Sequence, residues 1–207
     1  MNYYDITKEI SEEMVVYKNR DSKRIKRLVQ ADYTSQSYYE SRLELDMHTG
    51  THADAPLHMI EHGITMEQVD WTKFIGPCKV FDLTHVKEYI VKEDLVGLDI
   101  RKQDIILLKT TNSYDTSYNP KFVYLEEDAA TYLVEKGIKC LGMDAMSIER
   151  DKADHPTHKI ILSQKIGVLE DLQLKDVKAG HYFLSALPLK IKGSEASPVR
   201  AVLLDQM

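Results

Sequence analysis

Short apolar runs, each bounded by polar or turn residues, recur along the chain. Runs of four to eight apolar and partly β-branched residues fit buried strands better than helices. The pattern therefore predicts four buried strands, "CKVFDL" at 78–83, "DIILLKT" at 104–110, "IKCLGMD" at 138–144 and "RAVLLD" at 200–205.

An amphipathic segment, "LEEDAATYLVEKG", lies between the second and third of these runs. Acidic residues at its start and Lys136-Gly137 at its end are typical of the two ends of a helix. Ala130, Leu133 and Val134 form its expected buried stripe. A strand, a helix and a further strand in this order predict a βαβ unit, and hence an α/β fold on a mixed sheet.

Three other segments have a weaker pattern. "MEQVDW" (66–71) and "LEDLQLKDV" (169–177) are predicted as short helical or turn segments. "NSYDTSYNPKF" (112–122) is predicted as a polar loop after a strand, where α/β proteins place ligand contacts. Because no repeat, low-complexity tract or linker divides the chain, residues 1–207 are predicted to form one domain.

Composition and charge exclude several classes of protein. The 207 residues are 43% hydrophobic and 29% charged with a net charge of −6, which indicates a globular protein and no overall basic field for nucleic acid. The basic run at 18–27 is expected to be a solvated face. No segment approaches the roughly 20 apolar residues of a membrane span, and the first residues do not resemble a signal peptide, so a cytoplasmic protein is expected. Cys78 and Cys140 form no C-x-x-C pair and are predicted to be small core residues.

One stretch, "DMHTGTHADAPLH" (46–58), collects three histidines and an aspartate: His48, His52, Asp54 and His58. The glycine, threonines and proline among them oppose a helix. In an extended chain alternate side chains share a face, so His52 and Asp54 would lie side by side with His48 on the same side. Two imidazoles and a carboxylate can hold a divalent ion.

The alternative is that these residues form the polar face of an exposed edge strand. Five of the eight histidines of the chain lie outside this stretch. Of these, His62 and His85 are expected at the surface or in turns, and His181 at the start of a strand.

The spacing becomes specific in "HTGTHADAPLH", which resembles the H-x-G-T-H-x-D-x-P-x-H signature of cyclase-like metal-dependent hydrolases. This family includes bacterial kynurenine formamidase and isatin hydrolase. Further stretches resemble other blocks of the family: "YYDITKEISEEMVVY", "GMDAMSIE", "HKIILSQKIGVLEDLQL" and "LPLKIKGSEASPVRAVLL". The blocks extend over nearly the whole chain, and the chain is identified as a member of the family.

The resemblance implies a compact α/β domain on a mixed sheet with β/β/α character, assembled as a homodimer or homotetramer. It implies Zn²⁺ or Mn²⁺, up to two per subunit. The first ion would be held by His48, His52 and Asp54, and the second by Asp54, His158 and Glu170.

The resemblance also assigns roles to single residues. His58 matches the catalytic histidine of the family. Of the two histidines in "HPTH", His158 has the family spacing of twelve residues before Glu170, and His155 is expected to be structural. Tyr17 in "MVVYKNRD" stands where kynurenine formamidases usually have a tryptophan that contacts the substrate, so it is a candidate for substrate binding.

The implied reaction is hydrolysis of an amide C–N bond of a small molecule by metal-activated water, with His58 as acid and base. N-formylkynurenine is the reference substrate, and cyclic amides or lactones are the alternatives within the same chemistry. His52, Asp54 and His158 also satisfy the pattern of a mononuclear Fe(II) oxygenase, although His48 and Glu170 would then be surplus. A catalytically silent metal-binding or scaffold protein is a third possibility. The presence of His58 at the position of the catalytic histidine of the family argues against it.

Overall fold

The structure, a computed structural model, describes residues 2–150 and 152–205. Its strands are β1 (Tyr3–Asp5), β2 (Lys26–Ala31), β3 (Glu40–Glu44), β4 (His52–Asp54), β5 (Ile75–Asp82), β6 (Tyr89–Ile90), β7 (Ile105–Lys109), β8 (Tyr124–Leu125), β9 (Cys140–Met143), β10 (Gly167–Glu170), β11 (Gly180–Ser185), β12 (Ala196–Pro198) and β13 (Val202–Asp205). The α-helices are α1 (Lys92–Leu95), α2 (Glu127–Lys136) and α3 (Pro156–Ser163). Short 3₁₀ helices cover Tyr17–Asn19, Asp21–Lys23, Pro56–His58, Met66–Gln68, Trp71–Phe74 and Thr111–Tyr114.

Nine of the strands form one mixed sheet in the order β1-β13-β11-β5-β7-β9-β10-β4-β12. The four central strands β5, β7, β9 and β10 are parallel, and the strands on either side pair antiparallel. This arrangement confirms the predicted α/β class on a mixed sheet. The short pairs β2-β3 and β6-β8 lie outside it.

The predicted βαβ unit is confirmed as β7, α2 and β9. Helix α2 is capped by Gly137, whose φ of +68° lets its backbone N–H bond back to the carbonyls of Leu133 and Val134. Ala130 and Leu133 are fully buried, and Val134 packs against the same core at partial burial. The first and last predicted strands are present as β5, which begins three residues earlier than expected at Ile75, and β13, in which only Leu203 is buried.

The expectation of a helical or turn segment at 169–177 is wrong at its start. Leu169 and Glu170 are the last residues of β10, which pairs with β9 on one side and β4 on the other. Asp171 follows with φ of +57°, which ends the strand. A second βαβ unit, β9-α3-β10, was therefore not predicted, whereas the 3₁₀ helices at Met66–Gln68 and Trp71–Phe74 agree with the prediction.

Both faces of the central strands are buried. In β7, Ile106 and Leu108 belong to the core that α2 and α3 cover, while Ile105 and Leu107 belong to a second core on the opposite face. Such burial on both faces is the reason why parallel strands read as continuous apolar runs. We call the core that α2 and α3 cover the helical core, and the core on the other face of the sheet the opposite core.

The remaining sequence predictions concern cysteines, histidines and the basic run. Cys78 and Cys140 are free and buried in the opposite core, and burial raises the pKa of Cys78 to about 12. His62 and His85 are exposed, as expected, and His181 is the second residue of β11, in agreement with its predicted position at the start of a strand. The basic run at 18–27 is exposed over most of its length. Among the helices that the structure describes, none has the length and apolar character needed to cross a membrane.

Gly142 in β9 is a point at which the sheet tolerates no side chain. A Cβ there would lie 2.4 Å from Leu107 Cδ2 and 2.8 Å from Leu172 Cδ1, both fully buried side chains. We expect Gly142→Ala to lower the free energy of unfolding by about 1–3 kcal/mol, because overpacking forces side chains from their preferred rotamers. Denaturant titration measures this change. The control is Gly180→Ala in β11, where the added methyl group meets only the Tyr182 ring at 3.6 Å; equal stability of the two variants would contradict the prediction.

Candidate metal centre

The pairing of β4 with β10 brings two of the candidate residues together. In this antiparallel register His52 lies opposite Glu170. Ala53 and Leu169 pack in the opposite core, so their neighbours His52, Asp54 and Glu170 project to the face on which α3 lies. The first turn of α3 supplies His158 to the same place.

Nitrogen and carboxylate oxygen atoms converge at this point. His52 Nε2 lies 3.3 Å from Glu170 Oε2 and 3.5 Å from Asp54 Oδ1. His158 Nε2 lies 3.1 Å from Glu170 Oε1. All four side chains are at most 4% exposed, so water cannot solvate their charges.

His48 reaches the site by a different path from the predicted one. Only His52–Asp54 is extended; His48 lies in a turn before β4, and Pro56 begins a 3₁₀ helix after it. The prediction of an extended chain that includes His48 is therefore wrong, and the extended part is limited to His52–Asp54. The chain is turned at Gly50, with φ of +60°, and His48 Nδ1 comes to lie 3.1 Å from Asp54 Oδ1.

Gly50 has a second role, through its carbonyl group. That oxygen lies 2.7 Å from Nδ1 of His52, which fits a ring with its proton on Nδ1. The lone pair of His52 then resides on Nε2 and faces Asp54 and Glu170. A Cβ at position 50 would approach Met14 Cε to 3.1 Å, and the positive φ disfavours any other residue, so this turn depends on glycine.

His58 ends the 3₁₀ helix Pro56–His58, which returns its ring to the cluster. The ring centroid lies 4.0 Å from that of His48 and 5.8 Å from that of His158. Burial lowers the pKa of His58 to about 4. The imidazole is therefore neutral near pH 7 and has a nitrogen lone pair available to accept a proton.

The electrostatics of the cluster favour positive charge between the carboxylates. Burial alone would raise the pKa of Glu170, but the hydrogen bond with His158 and the close approach of the His52 ring hold it well below its usual range. Burial opposes protonation of His158 as well, yet its hydrogen bonds with Glu149 and Glu170 raise its pKa to about 10. The carboxylates thus attract a cation, whether a proton or a metal ion.

Asp54 is the carboxylate of the cluster that most clearly lacks hydrogen-bonding partners among the described residues. Within the described part of the chain, neither of its carboxylate oxygens has a hydrogen-bond partner of ordinary geometry, and the same holds for His52 Nε2. An ionised carboxylate in the interior is costly unless it is paired or coordinates a metal. Imidazole nitrogens and carboxylate oxygens are ligands of Zn²⁺ and of other divalent ions, so the residues fit a divalent metal.

Three sets of ligand atoms, each set within 4.8 Å, are found among the described residues: His48, Asp54 and His58; His52, Asp54 and Glu170; and Glu149, His155 and His158. The structure thus gathers all five predicted metal ligands and His58 in one cluster. It groups them differently from the prediction, because His58 joins His48 and Asp54. The assignment of each residue to a particular ion remains a prediction.

A small pocket opens beside the cluster. Tyr17 lines it together with His48 and His52, and Lys23 and Asp46 form an ion pair of 3.0 Å on its wall. The Tyr17 ring contacts Tyr118 edge to face. The candidate residue for substrate binding therefore lies next to the candidate metal ligands.

The sequence analysis missed Glu149, which is 2% exposed and lies against His158. The available signal was its position in "GMDAMSIE", one of the blocks that carry the family resemblance. It also missed Asp171, a buried residue that pairs with Lys8 at 2.7 Å and lines the pocket. No spacing rule distinguishes this aspartate from its acidic neighbours in "LEDLQLKDV".

Comparisons with known proteins agree with the geometry. The Cyclase family model, with the description "Putative cyclase", matches residues 4–150. Kynurenine formamidase of Salinibacter ruber is 38% identical over 166 residues, which are 79% of this chain and 78% of that protein.

Solved structures match over the full length. A structure described as "Potential Metal-Dependent Hydrolase With Cyclase Activity" is 46% identical with a TM-score of 0.92, covering 100% of this chain and 98% of the other. Isatin hydrolase A from Labrenzia aggregata is 20% identical with a TM-score of 0.84, covering 99% and 94%, and shares the fold.

If Asp54 is central to the binding of a cation, Zn²⁺ will stabilise the wild type and not the variant Asp54→Ala. Free ligand at a hundred times its dissociation constant stabilises a protein by about 2.7 kcal/mol. For a chain of this size we expect a rise in Tm of roughly 5–10 °C after chelation and addition of Zn²⁺. Differential scanning calorimetry measures it, with the exposed histidine variant His62→Ala as the control. An equal rise in Asp54→Ala would refute the assignment.

Proposed function

Because the chain belongs to the Cyclase family of metal-dependent hydrolases, we propose that it hydrolyses the C–N bond of a small N-acylated amine, with N-formylkynurenine as the reference substrate. The observation that carries the proposal is the buried cluster of imidazoles and carboxylates around Asp54. The likeness to kynurenine formamidase supports the choice of an amide that is not a peptide.

We propose Zn²⁺ or Mn²⁺ as the ion, up to two per subunit. Their holders would be His48, His52, Asp54, His158 and Glu170. Asp54 belongs to two of the three sets of ligand atoms, which supports a role for this carboxylate in holding both ions. When bound, such an ion lowers the pKa of a coordinated water towards about 7 and polarises a carbonyl group.

The residues of the chain supply the remaining functions. His58, neutral and in ring contact with His48, accepts a proton from the attacking water and donates it to the amine as the C–N bond breaks. The burial of the cluster excludes bulk water, which strengthens each electrostatic contact. Tyr17 offers an aromatic face on the wall of the pocket, on which an aryl group can pack.

The chemistry of an oxygenase is less well supported. A mononuclear Fe(II) site needs two histidines and one carboxylate. Here His48 and Glu170 lie in the same cluster as His52, Asp54 and His158, and the relatives are hydrolases. A hydrolytic site with two metal ions would use this larger set of ligands.

We also propose a homodimer or homotetramer. The hairpin of β2 and β3 supports this, because Val29 and Leu43 on it are 45% and 49% exposed and an isolated two-stranded hairpin is marginally stable in water. A second copy of the chain would cover these side chains. The mass of the protein in solution tests the assembly.

The first experiment is hydrolysis of N-formylkynurenine, followed by absorbance, with chelated protein and after Zn²⁺ or Mn²⁺ is restored. We expect no turnover after chelation and recovery with the metal. If folded, metal-loaded protein leaves this substrate intact, the proposed substrate is wrong, and cyclic amides and lactones are then assayed in the same way.

The variant His58→Ala separates catalysis from metal binding. Loss of a general acid and base typically costs about 10²–10⁴-fold in rate, so we expect kcat to fall by this factor. Metal content, measured by atomic emission, should equal that of the wild type. Loss of metal along with activity would show that His58 is a ligand, as its grouping with His48 and Asp54 allows.

A further inference from the structure

Glu149 is a buried acid that the proposed chemistry does not use. It follows β9 in the loop that leads towards α3, and 2% of its surface is exposed. The same loop supplies the backbone N–H of Ile148, which donates to Glu170 Oε1 at 2.7 Å. Consecutive residues thus contact two of the candidate metal ligands.

One oxygen of Glu149 contacts His158 twice. Oε2 lies 3.0 Å from Nδ1 of the ring and 3.3 Å from the backbone nitrogen of the same residue. His158 is the third residue of α3, which begins at Pro156, so its N–H belongs to the first turn and has no partner within the helix. A carboxylate at this end of a helix also meets the positive end of the helix dipole.

We propose that Glu149 is a positioning residue of the metal centre: by accepting a hydrogen bond from Nδ1–H of His158, it fixes the ring so that the Nε2 lone pair points to the cation. The contact with the backbone holds the same residue at a second point, so the ring and the start of α3 are oriented together. This inference rests on the proposed metal centre.

His52 shows the same arrangement with a different acceptor. Its Nδ1 lies against the carbonyl of Gly50 at 2.7 Å, and its Nε2 faces Asp54 and Glu170. Metal-binding histidines generally donate their second ring N–H to a carbonyl or a carboxylate, which fixes the tautomer and makes the ligating nitrogen more basic. In the cluster, Gly50 and Glu149 are the two acceptors that select Nε2.

Stability alone does not explain Glu149. Its second oxygen, Oε1, is buried and has no hydrogen-bond partner among the residues that the structure describes. A buried carboxylate that is only half satisfied costs free energy of folding. The burial of Glu149 is explained if the contact of its Oε2 with His158 orients that ring in the metal centre.

The competing interpretation is a separate metal site of Glu149, His155 and His158, whose ligand atoms lie within 4.8 Å. His155 is exposed and lies at the N-terminal boundary of α3 with φ of +48°. A metal at that site would bind Nδ1 of His158, which must then carry no proton. In the structure Nδ1 lies 3.0 Å from Glu149 Oε2, a distance that fits a hydrogen bond donated by a protonated Nδ1. His155→Ala therefore distinguishes the two interpretations and is the matched control.

The experiment measures the dissociation constant of Zn²⁺ by competition with a chromophoric chelator, without substrate. We expect Glu149→Gln, which replaces the charged acceptor by a neutral amide, to bind Zn²⁺ about 10–100-fold more weakly than the wild type, the typical effect of mutating such a partner of a metal-binding histidine. His155→Ala should bind as tightly as the wild type. The Tm of the chelated Glu149→Gln protein checks that this variant is folded before the metal is added.

The variant Glu149→Asp keeps the acceptor on a shorter side chain and should recover part of the lost affinity; it also replaces Glu149→Gln if that variant fails to fold. Equal Zn²⁺ affinity of wild type and the Glu149 variants would overturn the inference while leaving the metal centre intact. An equal loss in His155→Ala would overturn it in favour of a separate site. A wild type that binds no Zn²⁺ or Mn²⁺ would overturn the proposed function and this inference together.

Discussion

The structure of the site depends on two buried carboxylates, Asp54 and Glu170, which both lie close to Nε2 of His52. Each costs several kcal/mol to remove from water, and their proximity adds repulsion. Burial and the charge of Glu170 both oppose ionisation of Asp54, whereas His48 and His52 favour it. Such a pair is stable only with positive charge between its members, and the histidines place nitrogen donors around that position.

The sheet exists in a form that makes this arrangement possible. The parallel strands β9 and β10 are buried on both faces, which gives a rigid support for Glu170. The antiparallel strand β4 then pairs with β10 and sets His52 opposite Glu170. Helix α3 connects β9 to β10 and places His158 next to Glu170, which lies opposite His52. The register of β4 against β10 therefore determines which side chains meet at the site.

Much of this was predictable from the sequence, for physical reasons that differ by element. The apolar run at Ile105–Lys109 was predicted because a strand covered on both faces has no polar alternation. The histidine cluster was predicted because its spacing is specific. The side-by-side position of His52 and Asp54 followed from the period of a strand, but His48 did not obey that period, since the turn at Gly50 precedes the strand.

Other features depend on contacts that no local pattern contains. Glu170 is in a strand because β9 and β4 flank it, although its neighbours in sequence suggested a helix or turn. Glu149 has an ordinary sequence context, and its importance arises from the approach of α3. Local patterns predicted β7, α2 and β9, the family resemblance predicted His158 and Glu170, and only the three-dimensional contacts reveal Glu149.

The placement of β4 has a consequence for how the molecule is made. Both strands that flank it, β10 and β12, come from residues 167–170 and 196–198 of 207. A chain that grows from its N-terminus therefore carries His52 and Asp54 without neighbouring strands until most of its synthesis is complete. Pairing over such a separation is among the slow steps of folding. The complete set of candidate ligands therefore forms only after β10 is present, and a truncated chain that ends before β10 has the first histidines of the site but lacks Glu170.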